Sequence, residues 1–412
     1  MPLTDVAILG AGQAGLSMSR CLSVLGIEHA IFERGDVAER WKTTIWDSLT
    51  TLTPNWMNGL PWQPYEGPEP SGFMHRNELI GFLQRYATRC RAPVIGRSNV
   101  ILVDSQCGQY RVVTTRGTWR ARAVIIATGY CDLLRVPNLS HALSPAIESL
   151  HSSQYRAPEQ LTDGAVLVVG ASASGIQIAE ELRQAGRNII LSVGRHTRLP
   201  RRWRGHDIFW WLTRLGKLSE RPAEMGDVRK TIEQPSLQLV GRSDHANVDL
   251  PWLQERGVRL AGRVRHISRD VVHFEDDLHV TASTADAKLA RLLREIDTFA
   301  GVFARDQRYP VRTVDVFGRA PRSVSLRSEG IRTVIWATGF KRAYPWLKLP
   351  LTTANGELEH REGVTRAAGV YALGLRFLRK RDSNFIGGVG TDAWEIAVHL
   401  ANFLGQASKT AA

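Results

Sequence analysis

The sequence predicts an α/β fold that contains two Rossmann-like dinucleotide-binding units. Three observations predict it: an apolar strand enters a glycine turn at residues 10–15, the same pattern returns at 170–175, and a strand ending in Ala-Thr-Gly occurs twice, at 127–129 and 337–339. The two glycine turns are offset by 160 residues, and the apolar positions of the following helices keep that offset. Such a repeat indicates two copies of one strand, turn and helix unit.

The first glycine turn has the residue types that a bound pyrophosphate requires. Gly10 permits the tight turn, Gly12 lets the backbone approach the phosphates, and Gly15 lets the helix pack closely on the strand. The N–H groups at the start of the helix then bind the diphosphate. A second strand ends in Glu33, 18 residues after Gly15, where a carboxylate holds a ribose hydroxyl. The alternative is a glycine loop that arose by chance.

The second turn differs from the first where the ligand is selected. Ser172 replaces the middle glycine, and Val193 stands at the position equivalent to Glu33. Arg195 follows just beyond the strand, and an arginine there accommodates a 2′-phosphate. The first unit therefore suits FAD and the second suits NADPH. A solvated arginine in a surface loop is the alternative for Arg195.

Composition excludes several classes of protein. The chain has 412 residues, of which 43% are hydrophobic and 23% charged, as in globular proteins with two or three domains. The four cysteines lack the spacing of a redox CxxC or a metal site, so no metal is predicted. No apolar run reaches the length of a membrane span, and the first motif begins too near Met1 to leave room for a signal peptide. A cytoplasmic location is expected.

The net charge of +13 raises the question of a nucleic-acid partner. The basic residues are scattered along the chain, except for clusters at 195–204 and 379–381. A general positive field also suits anionic dinucleotides. We therefore expect no nucleic-acid partner.

Two aromatic segments lie outside the repeat. Residues 35–75 are rich in Trp and Pro and are predicted to form a long loop, which either walls a site or packs through its tryptophans. The segment 203–211 is predicted to belong to the core, to a partner surface or to a substrate wall, and we favour core or wall.

Helices are predicted after Asn77 as a cap, over 285–296, and at the C-terminus after a cap at Thr391 or Asp392. Residues 131–163, which contain Pro137, Pro145 and Pro158, are predicted to be a connection.

The combination of two glycine turns, two Ala-Thr-Gly strand ends and a glycine-rich C-terminal strand and helix resembles the flavoproteins with two dinucleotide-binding domains. Within them it is most similar to the class B flavin-dependent monooxygenases, over nearly the whole chain. The resemblance implies that the NADPH domain, 156–334, is inserted into an FAD domain built from 1–155 and 335–412.

The resemblance also suggests three catalytic residues. The family signature FxGxxxHxxx, followed by an aromatic residue, aligns with residues 145–155, where His151 and Tyr155 match while Pro145 and Ile147 replace the family's Phe and Gly. A tyrosine at the last position favours oxygenation of a heteroatom, and the alternative for His151 is packing between domains. Related enzymes place an asparagine near the flavin. Leu52 or Thr53 stands there in this chain, with Asn55 close by.

The implied activity is oxygenation of a small soft nucleophile, at N or S, with FAD, NADPH and O₂ through a C4a-peroxyflavin. The alternatives are an NADPH-dependent oxidase or reductase of the same fold, a Baeyer–Villiger monooxygenase and, from another class, a dinucleotide-binding sensor without redox activity. A homodimer is the candidate assembly.

The candidate cofactor-binding residues lie at the two turns, at the strand ends around them and in the C-terminal segment. They are Gly10, Gly12, Gln13, Ala14, Gly15, Glu33, Arg34, Trp41, Thr128, Gly129, Gly170, Ser172, Ala173, Ser174, Gly175, Arg195, Arg198, Thr338, Gly339, Gly374 and Gly390.

Overall fold

The structure is a computed structural model that describes residues 1–226, 232–301, 311–315 and 320–410, with side chains described up to residue 405. Its strands, in chain order, are β1 Leu3–Leu9, β2 His29–Phe32, β3 Val94–Ile95, β4 Val100–Gln106, β5 Gln109–Thr114, β6 Gly117–Ile126, β7 Leu133–Leu134, β8 Glu148–His151, β9 Ala165–Val169, β10 Ile189–Ser192, β11 Thr197–Arg198, β12 Arg202–Trp203, β13 His206–Asp207, β14 Leu237–Gln238, β15 Arg259–Ala261, β16 Val264–Ser268, β17 Val271–Phe274, β18 Ser323–Ser325, β19 Ile331–Trp336, β20 Phe340–Lys341 and β21 Val370–Ala372.

The α-helices are α1 Gln13–Val24, α2 Glu39–Thr43, α3 Arg76–Arg89, α4 Ala173–Gln184, α5 Ile208–Arg214, α6 Leu250–Glu255, α7 Leu278–Ala300 and α8 Val389–Thr410. Short 3₁₀ helices cover Asn55–Met57, Asn138–Ala142, Pro158–Gln160 and Pro222–Met225. Within the described residues, no helix combines the length and the apolar character needed to cross a membrane.

The first large sheet has the strand order β3-β2-β1-β6-β5-β4. Its strands β3, β2, β1 and β6 are parallel, while β5 and β4 continue from β6 as an antiparallel ribbon. The second half of β6 also pairs with β21, which brings the C-terminal segment into the same sheet. Val6, Ile8 and Ile125 have no exposed surface, as expected of parallel strands that are covered on both faces.

The second large sheet is parallel throughout, with the order β15-β10-β9-β19-β8. In both sheets the glycine turn follows a central strand, β1 in the first and β9 in the second. Ligands of open α/β sheets bind at the carboxyl ends of such strands. The fold class predicted from the repeat is therefore confirmed.

A separate apolar cluster joins α5 to α7. The aromatic side chains of α5, including Phe209 and Trp211, pack with Trp203 against Leu289, Leu293 and other apolar residues of α7. The predicted helix 285–296 is longer in the structure, because buried residues recur at helical spacing from Leu278 to Ala300. Smaller sheets are formed by β16-β17-β18, β11-β14, β12-β13 and β20-β7.

Three local predictions were wrong in detail. The cap of α3 is His75, not Asn77, because the Glu78 carboxylate accepts a hydrogen bond from the His75 backbone N–H at 2.7 Å. The last helix begins at Val389, ahead of Thr391 and Asp392. Residues 131–163 include β8, whose Glu148–His151 segment pairs with β19 at the edge of the second sheet.

The domain boundaries at 155/156 and 334/335 remain predictions. Strand β8 belongs to the second sheet although it precedes the first boundary, and β19 crosses the second one. Parts of the predicted inserted segment, at 227–231, 302–310 and 316–319, lie outside the described residues.

Candidate active site

The two glycine turns have nearly the same geometry. Gly10 and Gly170 adopt positive φ angles of 107° and 111°, which only glycine adopts readily. A Cβ on Gly10 would lie 2.7 Å from the carbonyl oxygen of Ala127, and one on Gly170 would lie 2.5 Å from that of Ala337. Each turn therefore packs against the alanine of an Ala-Thr-Gly strand end, which gives the recurrence of that tripeptide a steric reason.

The third glycine of each turn is also required by packing. A Cβ on Gly15 would lie 1.9 Å from the carbonyl oxygen of Gly10, and a Cβ on Gly175 would lie 1.8 Å from that of Gly170. No shift of a flexible side chain relieves these contacts, because the neighbour is backbone. The middle position is different: a Cβ on Gly12 would meet no atom within 4 Å.

The Glu33 carboxylate is held beside the first turn by backbone groups. Its Oε2 accepts a hydrogen bond from the N–H of Ala11 at 2.7 Å, and its Oε1 accepts one from the N–H of Gly35 at 3.1 Å. Carboxylate oxygens have further acceptor capacity beyond these two bonds. Glu33 also lines the central cavity, so it is available to a hydroxyl group bound there.

One cavity of about 790 Å³ extends from the first glycine turn to the second. Gly12 and Gln13 of the first turn line it, and so do Ala173 and Ser174 at the start of α4. Its size lies in the range of roughly 300–1,000 Å³ that ligand cavities occupy. The predicted cofactor-binding residues that it brings together are Gly10, Gly12, Gln13, Ala14, Glu33, Arg34, Trp41, Thr128, Gly129, Ala173, Ser174 and Gly374.

The remaining predicted cofactor-binding residues lie behind or beside this wall. Gly15, Gly170 and Gly175 make the close backbone contacts of the turns, and Ser172 is the N-cap of α4. Thr338 donates a hydrogen bond to the carbonyl oxygen of Arg135. Gly390 packs in α8, where a Cβ would lie 3.1 Å from Pro61.

Both aromatic segments contribute to the cavity wall. Trp41 and Trp46 line it from residues 35–75, and Phe209 lines it from α5. Phe209 is also buried in the core shared with α7, so this segment serves as core and wall together. The C-terminal segment closes a further side with Phe385 and Ile386.

Arg198 and Arg195 have different environments. Arg198 is buried, and its guanidinium donates to Asp249 at 2.9 and 3.0 Å and also pairs with Asp286. Arg195 is exposed just beyond the end of β10. The structure therefore leaves Arg195 accessible to a ligand and engages Arg198 in an internal ion-pair network.

His151 is the last residue of β8, and its side chain contacts the turn after β19. Its Nε2 lies 2.9 Å from the carbonyl oxygen of Gly339, and its Nδ1 lies 3.2 Å from the N–H of Ser153. The ring also packs edge-on against Phe340. Burial lowers the pKa of His151, which favours the neutral ring with Nε2 as donor and Nδ1 as acceptor.

Tyr155 and Asn55 are not among the described residues that line the central cavity. The Tyr155 hydroxyl donates to Glu181 Oε2 at 2.8 Å, and the Asn55 amide donates to the Glu69 carbonyl oxygen at 2.9 Å. The structure thus does not bring the three predicted catalytic side chains together at the cavity. Leu52 and Thr53 line it instead.

Several residues of the wall were missed by sequence reasoning. Tyr130 and Cys131 line the cavity directly after the first Ala-Thr-Gly, and Arg40 faces them. Burial raises the pKa of Cys131 and lowers that of Arg40. The position of Tyr130 and Cys131 directly after a strand end could have indicated them. Arg40 lies in the short helix α2, within a segment whose sequence shows no periodicity and was predicted to be a loop.

Comparisons with known proteins agree with this architecture. Residues 7–208 match the family described as "Pyridine nucleotide-disulphide oxidoreductase". The chain is 30% identical over 396 residues to an uncharacterised CzcO-like oxidoreductase of Geobacillus kaustophilus, covering 95% of this chain and 96% of that protein. It is 26% identical over 293 residues to the indole-3-pyruvate monooxygenase YUCCA1 of Oryza sativa subsp. japonica, covering 65% and 72%.

The structural comparison agrees as well. A variant of the flavin monooxygenase from Stenotrophomonas maltophilia superimposes with a TM-score of 0.69 at 21% identity, covering 98% of this chain and 100% of that one. Fold and site therefore define a flavin-dependent oxidoreductase with two dinucleotide-binding units. The chain belongs to the CzcO-like oxidoreductases.

Proposed function

We propose that this chain is an FAD- and NADPH-dependent monooxygenase that transfers one oxygen atom to the nitrogen or sulfur of a small substrate. The observation that carries the proposal is the single cavity that reaches from Gly12 in the first turn to Ser174 in the second. Two dinucleotides bound at these turns would meet inside it, as hydride transfer between them requires. The fold shared with a flavin monooxygenase supports the same reaction.

The residues of the first turn fit FAD. The open space beside Gly12 leaves room for a pyrophosphate against the backbone, at the N-terminus of α1. The fixed Glu33 carboxylate stands at the end of β2, where it would accept hydrogen bonds from the ribose.

The second turn fits NADPH. Ala173 and Ser174 begin α4 on the cavity wall, where their backbone N–H groups would hold the diphosphate. Arg195, exposed beyond β10, would pair with the 2′-phosphate. Arg198 is less suited to this role because its guanidinium is engaged by Asp249 and Asp286.

Bound FAD supplies the redox chemistry, since it accepts a hydride from NADPH and passes electrons to O₂. The overall reaction is NADPH + H⁺ + O₂ + S → NADP⁺ + H₂O + SO, in which NADPH and the substrate S each give two electrons. The protein's own contribution is orientation and exclusion of water. Trp41, Trp46, Leu52, Phe209 and Phe385 provide the apolar wall for this.

A second candidate function is an NADPH-dependent oxidase or reductase of the same fold. The placement of Asn55 and His151 away from the cavity favours it, because no predicted catalytic side chain then assists oxygen transfer. A Baeyer–Villiger reaction and a sensor without redox activity are further outcomes that one experiment separates.

The experiment uses the full-length protein loaded with FAD. It is reduced anaerobically with NADPH, mixed with ¹⁸O₂ and a panel of tertiary amines, sulfides and ketones, and assayed for flavin absorbance, H₂O₂ and product mass. The Gly12→Ala variant, which should lose FAD, is the matched control for catalysis by free flavin.

Incorporation of one ¹⁸O atom into an amine or sulfide supports the proposal. Stoichiometric H₂O₂ with every compound indicates the oxidase, and ester formation from a ketone indicates the Baeyer–Villiger reaction. A protein that binds FAD but is not reduced by NADPH contradicts all three enzyme functions.

A further inference from the structure

A second cavity, of about 1010 Å³, lies beside the central cavity that joins the glycine turns. We call the second cavity the outer cleft, and the central cavity is called the inner cavity from here on. Its walls are residues 63–78 with the start of α3 on one side, and α4 with residues 240–245 on the other. Trp46, Thr50 and Gln177 line both cavities, so a wall one residue thick separates them.

The outer cleft is acidic although the chain is strongly basic. Five glutamates line it against two arginines, Arg85 and Arg242, in a chain of net charge +13. The glutamates are Glu66, Glu69, Glu78, Glu180 and Glu181. Three of these glutamates already have a partner within the protein. Glu180 forms an ion pair with Arg242, and Glu66 forms one with Arg89 at 3.6 Å. Glu78 accepts a hydrogen bond from the backbone N–H of His75.

Glu181 lacks a charged partner. The Tyr155 hydroxyl donates to it at 2.8 Å and the Ser48 side chain also bonds to it, but no basic side chain of the described residues pairs with it. Burial raises the pKa of Glu181, which reflects the cost of desolvating an uncompensated carboxylate. A ligand cation would relieve that cost.

Hydrogen-bond acceptors without donors also line this cleft. Asn55 is 4% exposed and donates through its amide to Glu69, while its Oδ1 has no partner in the described part of the chain. Gln63 Oε1 and His245 Nδ1 are further buried atoms without a partner on the same walls. The two amide oxygens among these atoms are acceptors that lack donors, and they favour a ligand that brings N–H groups or positive charge.

Aromatic side chains form part of the wall. Trp46, Tyr65, Phe73 and Phe82 line the outer cleft. Aromatic faces beside carboxylates attract organic cations through cation–π contacts and bury their apolar parts. The combination distinguishes an organic ammonium from an inorganic cation, which would prefer oxygen ligands alone.

We propose that the outer cleft binds small organic ammonium compounds with an apolar body, with Glu181 as the principal counter-ion. Because Trp46, Thr50 and Gln177 line both cavities, an amine held in the cleft lies next to the inner cavity, and the proposal extends to the cleft as the route by which an amine substrate approaches it. This second step rests on the proposed monooxygenase function, whereas cation binding does not.

The binding test uses the oxidised, FAD-loaded, full-length protein and benzyltrimethylammonium, which has no lone pair to oxygenate. Calorimetry compares the wild type with Glu181→Gln, which keeps the shape of the side chain but removes its charge. Two controls are matched in charge: Glu28→Gln on the exposed surface and Glu295→Gln on the wall of the inner cavity.

We expect one cation to bind per chain, at least tenfold more weakly to Glu181→Gln, and within twofold of wild type for both controls. Neopentylbenzene, in which carbon replaces the cationic nitrogen, should bind at least tenfold more weakly than the cation. Equal affinity of Glu181→Gln and wild type, no binding to the wild type, or loss of binding in Glu295→Gln instead would overturn the proposal.

The delivery step is tested separately with N,N-dimethylbenzylamine under turnover. Glu181→Gln should raise KM about tenfold and leave kcat within twofold, because the residue lies away from the inner cavity. An unchanged KM overturns the route. If the wild type forms no N-oxide while calorimetry still shows Glu181-dependent binding, the monooxygenase function and the delivery step fail and the cation site stands.

Discussion

The Nε2 atom of His151 lies 2.9 Å from the carbonyl oxygen of Gly339, and this contact joins the edge strand β8 to the turn that follows β19. The other ring nitrogen accepts from the N–H of Ser153 at 3.2 Å, so the neutral ring is satisfied at both ends. Nδ1 also lies 2.9 Å from the hydroxyl oxygen of Ser153, and burial lowers the pKa of the ring, which favours its neutral form. His151 therefore acts as a neutral clamp between two segments of the second sheet.

The clamp predicts an acid sensitivity of folding. Burial lowers the pKa of His151 below its usual 6.5, so the unfolded chain takes up a proton as the pH falls through 6.5 while the folded chain does not. The contribution of His151 to the free energy of unfolding is therefore fully present above pH 6.5 and is lost as the pH falls below 6.5. Below pH 6.5 the free energy of unfolding should therefore depend on pH, and His151→Gln should reduce that slope by up to about 1.4 kcal/mol per pH unit. Urea unfolding between pH 5 and 7.5 measures it.

The control for this experiment is His141→Gln, at an exposed position of a 3₁₀ helix. It should leave the slope unchanged. An unaltered slope in His151→Gln would show that the ring does not stay neutral in the folded protein. A kcat that falls while the pH dependence of unfolding stays constant would favour the catalytic role suggested by the family signature.

The two kinds of glycine in the first turn predict opposite outcomes. Gly12 has an ordinary φ of −83° and open space around its Cβ position, so Gly12→Ala should fold with the same free energy of unfolding in the absence of FAD. The added methyl would occupy the space of the pyrophosphate, and FAD affinity should fall at least about tenfold, or 1.4 kcal/mol. Flavin fluorescence during FAD titration measures this.

Gly15→Ala is the contrasting variant. Its methyl would lie 1.9 Å from the carbonyl oxygen of Gly10, so the apo-protein itself should lose several kcal/mol of stability. If Gly12→Ala binds FAD as well as the wild type, the dinucleotide does not lie on this turn.

The two arginines near the second turn predict different losses. Arg195→Ala removes an exposed charge and should raise KM for NADPH by about 10-fold to 100-fold, the value of 1.5–3 kcal/mol for a charged hydrogen bond, with KM for NADH unchanged. Arg265→Ala, another exposed arginine, is the matched control and should alter neither constant. Equal effects on NADPH and NADH would contradict a 2′-phosphate contact.

Arg198→Gln should act on folding instead. It leaves Asp249 and Asp286 without their buried partner, and loss of one member of a buried ion pair costs about 3–5 kcal/mol. Thermal unfolding of the apo-protein measures this, and a stable Arg198→Gln with a raised KM for NADPH would return Arg198 to the cofactor site.

Sequence reasoning succeeded where a few neighbouring residues determine the structure. The turns at Gly10 and Gly170 were predictable because backbone contact forbids a side chain at fixed positions in each. The carboxylate of Glu33 was predictable because it follows a strand at a set distance from the turn.

Sequence reasoning failed where contacts between distant parts of the chain determine what a residue does. Nothing local to His151 shows that its ring meets Gly339, 188 residues further along the chain. The Trp-rich segment 35–75 was expected to wall one site, yet it lines two cavities, with Trp46 shared between them. Asn55 was placed near the flavin from its position in the sequence, but the 3₁₀ helix that begins there directs it to the outer cleft.

Removal of the Tyr155 hydroxyl tests whether this residue positions Glu181 or takes part in catalysis. It is fully buried and donates to Glu181 at 2.8 Å, so Tyr155→Phe should cost about 1.5–3 kcal/mol of unfolding free energy, as for hydrogen bonds to charged groups. Flavin reduction by NADPH should stay within twofold, because Tyr155 lies outside the inner cavity, while benzyltrimethylammonium should bind severalfold more weakly.

Tyr110→Phe is the matched control, because Tyr110 is also buried, with 8% of its surface exposed. It lies in β5 of the first sheet, and its hydroxyl donates a hydrogen bond to the carbonyl oxygen of Ala368 at 2.6 Å. Tyr110→Phe should lower stability without changing cation affinity. A 100-fold loss of kcat in Tyr155→Phe, the size expected when a proton donor is removed, would instead place this hydroxyl in the chemical step. An unchanged cation affinity would show that Glu181 does not need Tyr155 to present its carboxylate to the outer cleft.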